Sequence, residues 1–485
     1  MSGSNIAQPQ QTARWGALAM IVVAQFMVIL DVSIVNVALP TIKTDLGFSE
    51  AGLQWVISAY AIVFGGFLLL GGRLADLLGR RRVFSIGIVV FSAASLLAGL
   101  SDSAGTLVGA RALQGLGGAL FAPAALALLM TTFREGRERN VALGIWGAAS
   151  GSGGAVGVLL GGMLTSLASW PWVFYVNVPV GIALVALAPR FLRESRVEGA
   201  TRHFDVAGAA TVTASIMVLV YGLTYATQHG WGDAVTVTLL AGSAVLAAAF
   251  VAIEARAQAP LLPLRMFRSR TFSVANVLVI VVGTLAFGQF FLLSLYLQQV
   301  LDYSALQAGG AFVAIAGSIA VGSTLAQRFV TRFGPRPVLA VGLLTTGATL
   351  TWFARLPVDA HYATDLLVPF LVNGTGFALC FVPVTIAALT GVAPQDAGIA
   401  SGLVNTSRQL GGAIGLAAVT TIAATAAGLH SGANLHTAAA AEALAHGFRT
   451  SFAVLGGLGL AGAALTALAL APRREPAEEL VAETV

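Results

Sequence analysis

Of the 485 residues, 57% are hydrophobic and 10% are charged, with a mean hydropathy of +0.86; soluble domains carry about 25% charged residues, so a water-solvated surface cannot be built from this composition. An all-α integral membrane protein seated in a lipid bilayer is expected. The net charge of +5 does not point to nucleic acid, because its basic residues alternate in phase with hydropathy, and the single cysteine, Cys380, excludes an intrachain disulfide.

Crossing the hydrocarbon core takes about 20 apolar residues in a helix. Stretches of that kind begin near Trp15, Leu53, Val83, Thr106, Val141, Val173, Val206, Ala234, Phe272, Leu306, Val338, Leu366, Gly398 and Ser451, which predicts fourteen spans. The polar start runs into the first of them without a small-residue cleavage pattern, so that span is expected to stay in the protein. Within it lies Asp31, the one acid of 21 that falls well inside a span. A carboxyl in hydrocarbon is costly, which makes it a functional candidate. Proton uptake and release is the role this predicts, with a structural aspartate satisfied by hydroxyls or backbone as the alternative. Arg111, in the fourth span, is the matching base; a pair whose distance changes with conformation couples protonation to movement, whereas a static pair or a snorkelling arginine does not.

Between the second and third spans, Gly72 to Arg82 carries Asp76, Gly79, Arg80 and Arg81 on the side richer in arginine. There Asp76 can accept hydrogen bonds from a helix N-terminus and pair with arginine; for the arginines alone, ordinary topology serves as well. The fifth and thirteenth spans are glycine-rich, with Gly153, Gly154, Gly157, Gly161 and Gly162 in the former. Small faces at helical spacing permit close approach. Arg408 in the thirteenth span is a third intramembrane charge, either a substrate or gating contact or a structural one. Tyr60, Gln114, Asn177, Gln289, Tyr296, Asn373 and Asn405 are the polar groups that can face a substrate, although interhelical hydrogen bonding is the commoner use of such residues.

Orientation follows the arginines. Alternate connections on one side hold 21 of the 26 Lys and Arg residues; the other side holds Lys43, Arg355 and Arg449, with Arg111 and Arg408 inside spans. Both termini are therefore expected in the cytoplasm. No GxxxxGK[ST] segment occurs, which excludes a Walker A loop in this chain. His203, His229, His361, His430, His436 and His446 are expected in connections, so no metal set on facing helices is predicted.

The chain also repeats itself. Leu46-Gly47-Phe48-Ser49 resembles Leu301-Asp302-Tyr303-Ser304, and Gly79-x-Arg81-x-Val83-x-x-x-Gly87 matches Gly334-x-Arg336-x-Val338-x-x-x-Gly342. Gln114-Gly115-x-Gly117 pairs with Asn373-Gly374-x-Gly376, and Gly153-Gly154-Ala155-Val156-Gly157 with Gly411-Gly412-Ala413-Ile414-Gly415. The copies lie eight spans apart, so they run the same way through the membrane, as in transporters built from two parallel six-helix halves. Residues 15–192 and 271–472 are then the halves, and 206–253 an inserted pair. The stretches 193–205 and 254–270 are linkers, and 1–14 and 473–485 are tails. By the 255-residue offset Asp31 aligns with Ala286, and Arg111 aligns with Phe370, so neither charge has a charged twin.

The segment Gly72-Arg73-Leu74-Ala75-Asp76-Leu77-Leu78-Gly79-Arg80-Arg81-Arg82 resembles the signature of the major facilitator superfamily. Leu30-Asp31-Val32-Ser33-Ile34-Val35-Asn36-Val37-Ala38-Leu39-Pro40 resembles the first-span motif of its fourteen-span drug:proton antiporter branch, the EmrB/QacA type. Arg111-Ala112-Leu113-Gln114-Gly115 and Trp170 to Pro179 are similar to further motifs of that branch. Two positions depart: Val158 stands where the span 5 motif carries proline, removing an expected kink, and Leu77 stands where arginine is usual. The resemblance implies a monomeric, cofactor-free carrier, driven by the proton gradient, that exports small amphipathic or lipophilic compounds across the plasma membrane by alternating access. A dedicated exporter of one metabolite and a proton-coupled uptake symporter are the alternatives. A lone intramembrane carboxylate favours a neutral or monocationic cargo.

Overall fold

The structure, a computed structural model, describes residues 8–196, 205–257, 260–428 and 438–470. Its long helices are α1 (Gln8–Leu46), α2 (Trp55–Leu78), α3 (Arg80–Gly99), α4 (Ala104–Thr132), α5 (Arg137–Leu167), α6 (Asn177–Phe191), α7 (Val206–His229), α8 (Ala234–Glu254), α9 (Arg270–Leu295), α10 (Ala305–Phe333), α11 (Pro335–Phe353), α12 (Leu367–Leu389), α13 (Ala397–Ala427) and α14 (Ala438–Ala469). The described residues contain no strand.

These helices stand where the hydropathy places spans, but not all have the same standing. Twelve are long and apolar enough to cross a membrane, α6 when joined to the helical turn before it as Trp172–Phe191. A thirteenth, α5, qualifies as two segments, Arg137–Gly154 and Val156–Leu167, bent by 41°. The kink expected to vanish with the missing proline is therefore present, carried by a stretch in which glycine and serine relax the backbone. The remaining helix, α11, has 19 residues; Pro335, Arg336 and Pro337 at its start and four threonines dilute its hydropathy. It packs between α12 and α14. The last helix begins at Ala438, thirteen residues before the expected Ser451, so His446 lies within a helix rather than in a connection. His229 closes α7 and His361 precedes a short π turn, while His203, His430 and His436 lie outside the described residues.

The sequence repeat is a repeat of packing. In the first half α2 lies on α4, α3 on α4, α1 on α5 and α3 on α6; in the second, α10 lies on α12, α11 on α12, α9 on α13 and α11 on α14. Local chemistry repeats as well. Gly47 and Asp302 both take a left-handed backbone, φ +65° and +55°, and each precedes by two residues a serine, Ser49 or Ser304, that caps the next helix. Gly79 and Gly334, φ +107° and +81°, each form a one-residue turn between consecutive helices, a conformation that favours glycine. The halves meet along α5 against α10 and α2 against α13. Helices α7 and α8 pair with each other through a reciprocal Ser215–Ser243 hydrogen bond, 3.0 Å each way, and α7 lies outside against α2 and α13.

A buried charge cluster as the candidate functional site

Asp31 is fully buried, and helices α1, α3, α4 and α6 all supply side chains to its network. Arg111 Nη1 donates to Asp31 Oδ2 at 2.6 Å. The other oxygen, Oδ1, accepts from Gln114 Nε2 at 2.6 Å and from Asn177 Nδ2 at 3.1 Å. Gln114 spends both ends of its amide here: Oε1 accepts from Arg111 Nη1 at 2.6 Å, and Nε2 also reaches Ser95 Oγ at 2.8 Å. Arg111 Nε donates to the Val56 carbonyl of α2 at 3.0 Å, and its guanidinium lies 4.4 Å from the Tyr60 ring centre and 5.8 Å from that of Phe174. Arg111 reaches so many partners because its planar fork presents several donors at once.

Glycines set how closely α1 approaches. A Cβ on Gly157 would lie 1.8 Å from Ser33 Oγ, and one on Gly161 would lie 2.8 Å from the Ile34 carbonyl; Gly153 faces Ile29 at 2.9 Å. Gly154 has no neighbour that close, and Gly162 meets only Leu306 of α10, at 3.9 Å. The alternate glycines Gly153, Gly157 and Gly161 thus form the face that receives the helix bearing Asp31, while the other two do not.

The stretch from Gly72 to Arg82, read as a loop, is helix except for the Gly79 turn. Asp76 is fully buried and accepts from the backbone N–H groups of Gly398 and Ile399, both at 3.0 Å, at the N-terminus of α13. Arg80 donates to the same carboxylate from Nη2 at 2.7 Å and from Nε at 3.1 Å. Gly72 makes this contact possible, since a Cβ there would sit 2.4 Å from the Gly398 carbonyl. Arg81 instead faces Glu194, whose Oε1 accepts from the Arg81 N–H at 3.1 Å, and Arg82 is exposed. The three arginines are therefore not equivalent. The two halves are latched at this end of α2 and α13.

The polar residues expected to face a substrate separate into distinct places. Tyr60, Gln114 and Asn177 belong to the Asp31 cluster. Asn373 Nδ2 donates to Gln289 Oε1 at 3.2 Å, both side chains fully buried. Gln289 follows Asp31 by 258 residues and Asn373 follows Gln114 by 259, so this amide pair, rather than Ala286, is the packing counterpart of the charged one. The second half remains uncharged at that position, with Phe370 where Arg111 stands. Tyr296 bonds the Pro357 carbonyl and ties a helix end to a connection. Asn405 donates to the Ser401 carbonyl at 2.9 Å within α13, and Arg408 lies at the seam between the halves. Sequence reading missed Ser95, which carries no signal among many serines, and gave Phe174 no role of its own although it lies within the Trp170 to Pro179 motif. It also missed Glu254, a buried acid at the end of α8 whose oxygens accept from the Leu261 and Leu262 N–H groups at 3.1 Å each. Cys380 packs against Thr346, and no metal-binding group of His, Cys, Asp and Glu occurs among the described residues.

Residues 21–416 match the Major Facilitator Superfamily. The chain belongs to the Major Facilitator Superfamily. It is accordingly a multi-pass membrane transporter and not an enzyme. The puromycin resistance protein of Streptomyces alboniger is 40% identical over 98% of this chain and 95% of its own length. The cephamycin export protein of Amycolatopsis lactamdurans is 41% identical over 84% of each chain, and the tetracenomycin C resistance and export protein of Streptomyces glaucescens is 36% identical over 85% of this chain and 77% of its own. Among solved structures, the human organic anion transporter MFSD10 superposes with a TM-score of 0.61 at 16% identity, covering 94% of this chain and 98% of that one, a likeness of fold alone.

Proposed function

We propose that this superfamily member is a proton-driven exporter of small amphipathic or lipophilic compounds, of the fourteen-span antiporter branch, with Asp31 as the proton carrier. The observation that carries the reading is the Asp31–Arg111 pair: one acid deep in the apolar interior, held by a base on another helix, in one half only. Protonation of Asp31 removes its charge and releases Arg111 to its remaining acceptors, Gln114 Oε1 and the Val56 carbonyl. Side chains of α4 and α6 donate to that carboxylate on α1, so its charge state biases how α1 sits against α4 and α6. The Asp76 latch holds the halves together on the cytoplasmic side, and its release opens the binding region inward. All fourteen helices span the plasma membrane with both termini in the cytoplasm; α11 packs one side on α12 and α14 and leaves Val341, Leu344 and Trp352 exposed.

The named roles of the relatives in resistance and export support the outward direction. Each of those names carries a single compound, which favours the narrower version of the reading, an exporter dedicated to one molecule and its analogues. The test is expression in cells stripped of their own pumps, exposed to puromycin, a cephamycin and tetracenomycin C. Raised tolerance to at least one of them, lost when an ionophore collapses the proton gradient, is expected. Drug accumulation driven in the same direction as proton entry would instead establish an uptake symporter.

A further inference from the structure

Arg408 lies eleven residues into α13 and has no acidic partner among the described residues. Among the described residues its one hydrogen bond is a long one, Nη1 to Asn405 Oδ1 at 3.4 Å. The guanidinium lies 4.3 Å from the ring centre of Phe381 on α12 and 5.3 Å from that of Trp146 on α5. Those two rings stack on each other across the seam between the halves, centroids 5.7 Å apart and 28° between planes. Two donors here, Arg408 Nη2 and Trp146 Nε1, are buried and find no acceptor among the described residues. A cation without a counter-charge among the described residues, held beside an indole N–H in an apolar interior, with Nη2 and Nε1 both lacking an acceptor there, is a costly arrangement that points to a ligand.

We propose that Arg408, Trp146 and Phe381 form a cargo subsite for an anionic oxygen group, such as a carboxylate, phenolate or enolate, carried on a planar conjugated body. The oxygen accepts from Arg408 Nη2 and Trp146 Nε1, and the conjugated body packs on the aromatic faces. Because Trp146 belongs to one half and Arg408 and Phe381 to the other, such a cargo is gripped by both. The subsite is remade whenever the halves move. This reverses the neutral or cationic preference expected from Asp31 alone, since Asp31 is already neutralised by Arg111 whereas Arg408 has no counter-charge among the described residues. The proposal rests on the transporter reading above and names its cargo class.

The test is equilibrium binding to the full-length protein in lipid nanodiscs with no proton gradient, using two planar xanthene dyes of opposite charge, fluorescein and tetramethylrhodamine methyl ester. Wild type is expected to bind the anion more tightly. Arg408→Gln should weaken fluorescein about tenfold or more, as loss of charge-assisted bonds in an apolar site does, and leave the cation unchanged. Arg408→Lys should recover part of the loss, and Trp146→Phe, which keeps a ring but removes the N–H, should weaken the anion alone. Binding is measured with no proton gradient, so failure of proton coupling and failure of this subsite are read separately. No preference for fluorescein in wild type overturns the proposal, as does equal weakening of both dyes in Arg408→Gln. If Arg408→Gln does not fold, an unaltered preference in folded Trp146→Phe does the same.

Discussion

An isolated buried charge destabilises far more than a buried pair, because its partner's field is what offsets desolvation. Asp31 and Arg111 are 0% and 2% exposed in their side chains, so each depends on the other. Removing the base alone, Arg111→Gln, is expected to cost about 3 to 5 kcal/mol, read as a lowered unfolding midpoint in detergent. The double variant Asp31→Asn with Arg111→Gln should recover much of that loss, and equal midpoints for the single and double variants would deny the coupling. The two charges were legible in the sequence because charge is rare in apolar spans. Gln114, Asn177 and Tyr60 were legible as polar groups but not as neighbours of Asp31: their partners lie on other helices, and no spacing along one helix reveals that. Trp146 and Phe381 gave no signal at all, since an aromatic side chain in a membrane helix is ordinary packing until a guanidinium is found over it.

Helix against helix, the glycines decide. Gly157→Val places branched carbon where Ser33 Oγ and the Leu30 carbonyl already stand. Overpacking of that kind costs about 1 to 3 kcal/mol, and displacement of α1 should lower transport more than expression; normal transport by a well-expressed Gly157→Val protein would show that the α1–α5 contact does not position Asp31. The bend in α5 leads to a second expectation. An interior proline usually costs about 3 kcal/mol, but Val158 lies just past a 41° bend, so Val158→Pro should cost well under that amount in the same unfolding measurement. The bend itself was not legible. Sequence reading assigned it to a proline, whereas the glycine and serine run around it already loosens the helix.

At the level of the whole molecule, the repeat was the most informative feature in the sequence. Matches at Ser49 and Ser304, and at Gly79 and Gly334, proved to be the same cap and the same turn in each half, which is why they persist as short words amid divergent apolar helices. The pairing of α2 with α13 and α5 with α10 was not legible, because contacts between halves follow from how two bundles dock and leave no periodicity. That docking gives Asp76 its importance. Its carboxylate accepts two N–H bonds at the start of α13, and hydrogen bonds to a charged acceptor contribute about 1.5 to 3 kcal/mol each. Asp76→Asn should therefore shift the protein toward a state open on the cytoplasmic side, seen as a longer distance between spin labels at the exposed positions Leu78 and Gln395. An unchanged distance distribution would remove the latch from the account. The central claim, that Asp31 carries the proton, is tested most directly in proteoliposomes holding wild-type or Asp31→Asn protein, with cargo exchange and gradient-driven export measured side by side. Exchange retained and gradient-driven export abolished in Asp31→Asn is the predicted result; undiminished gradient-driven export by that variant would contradict it.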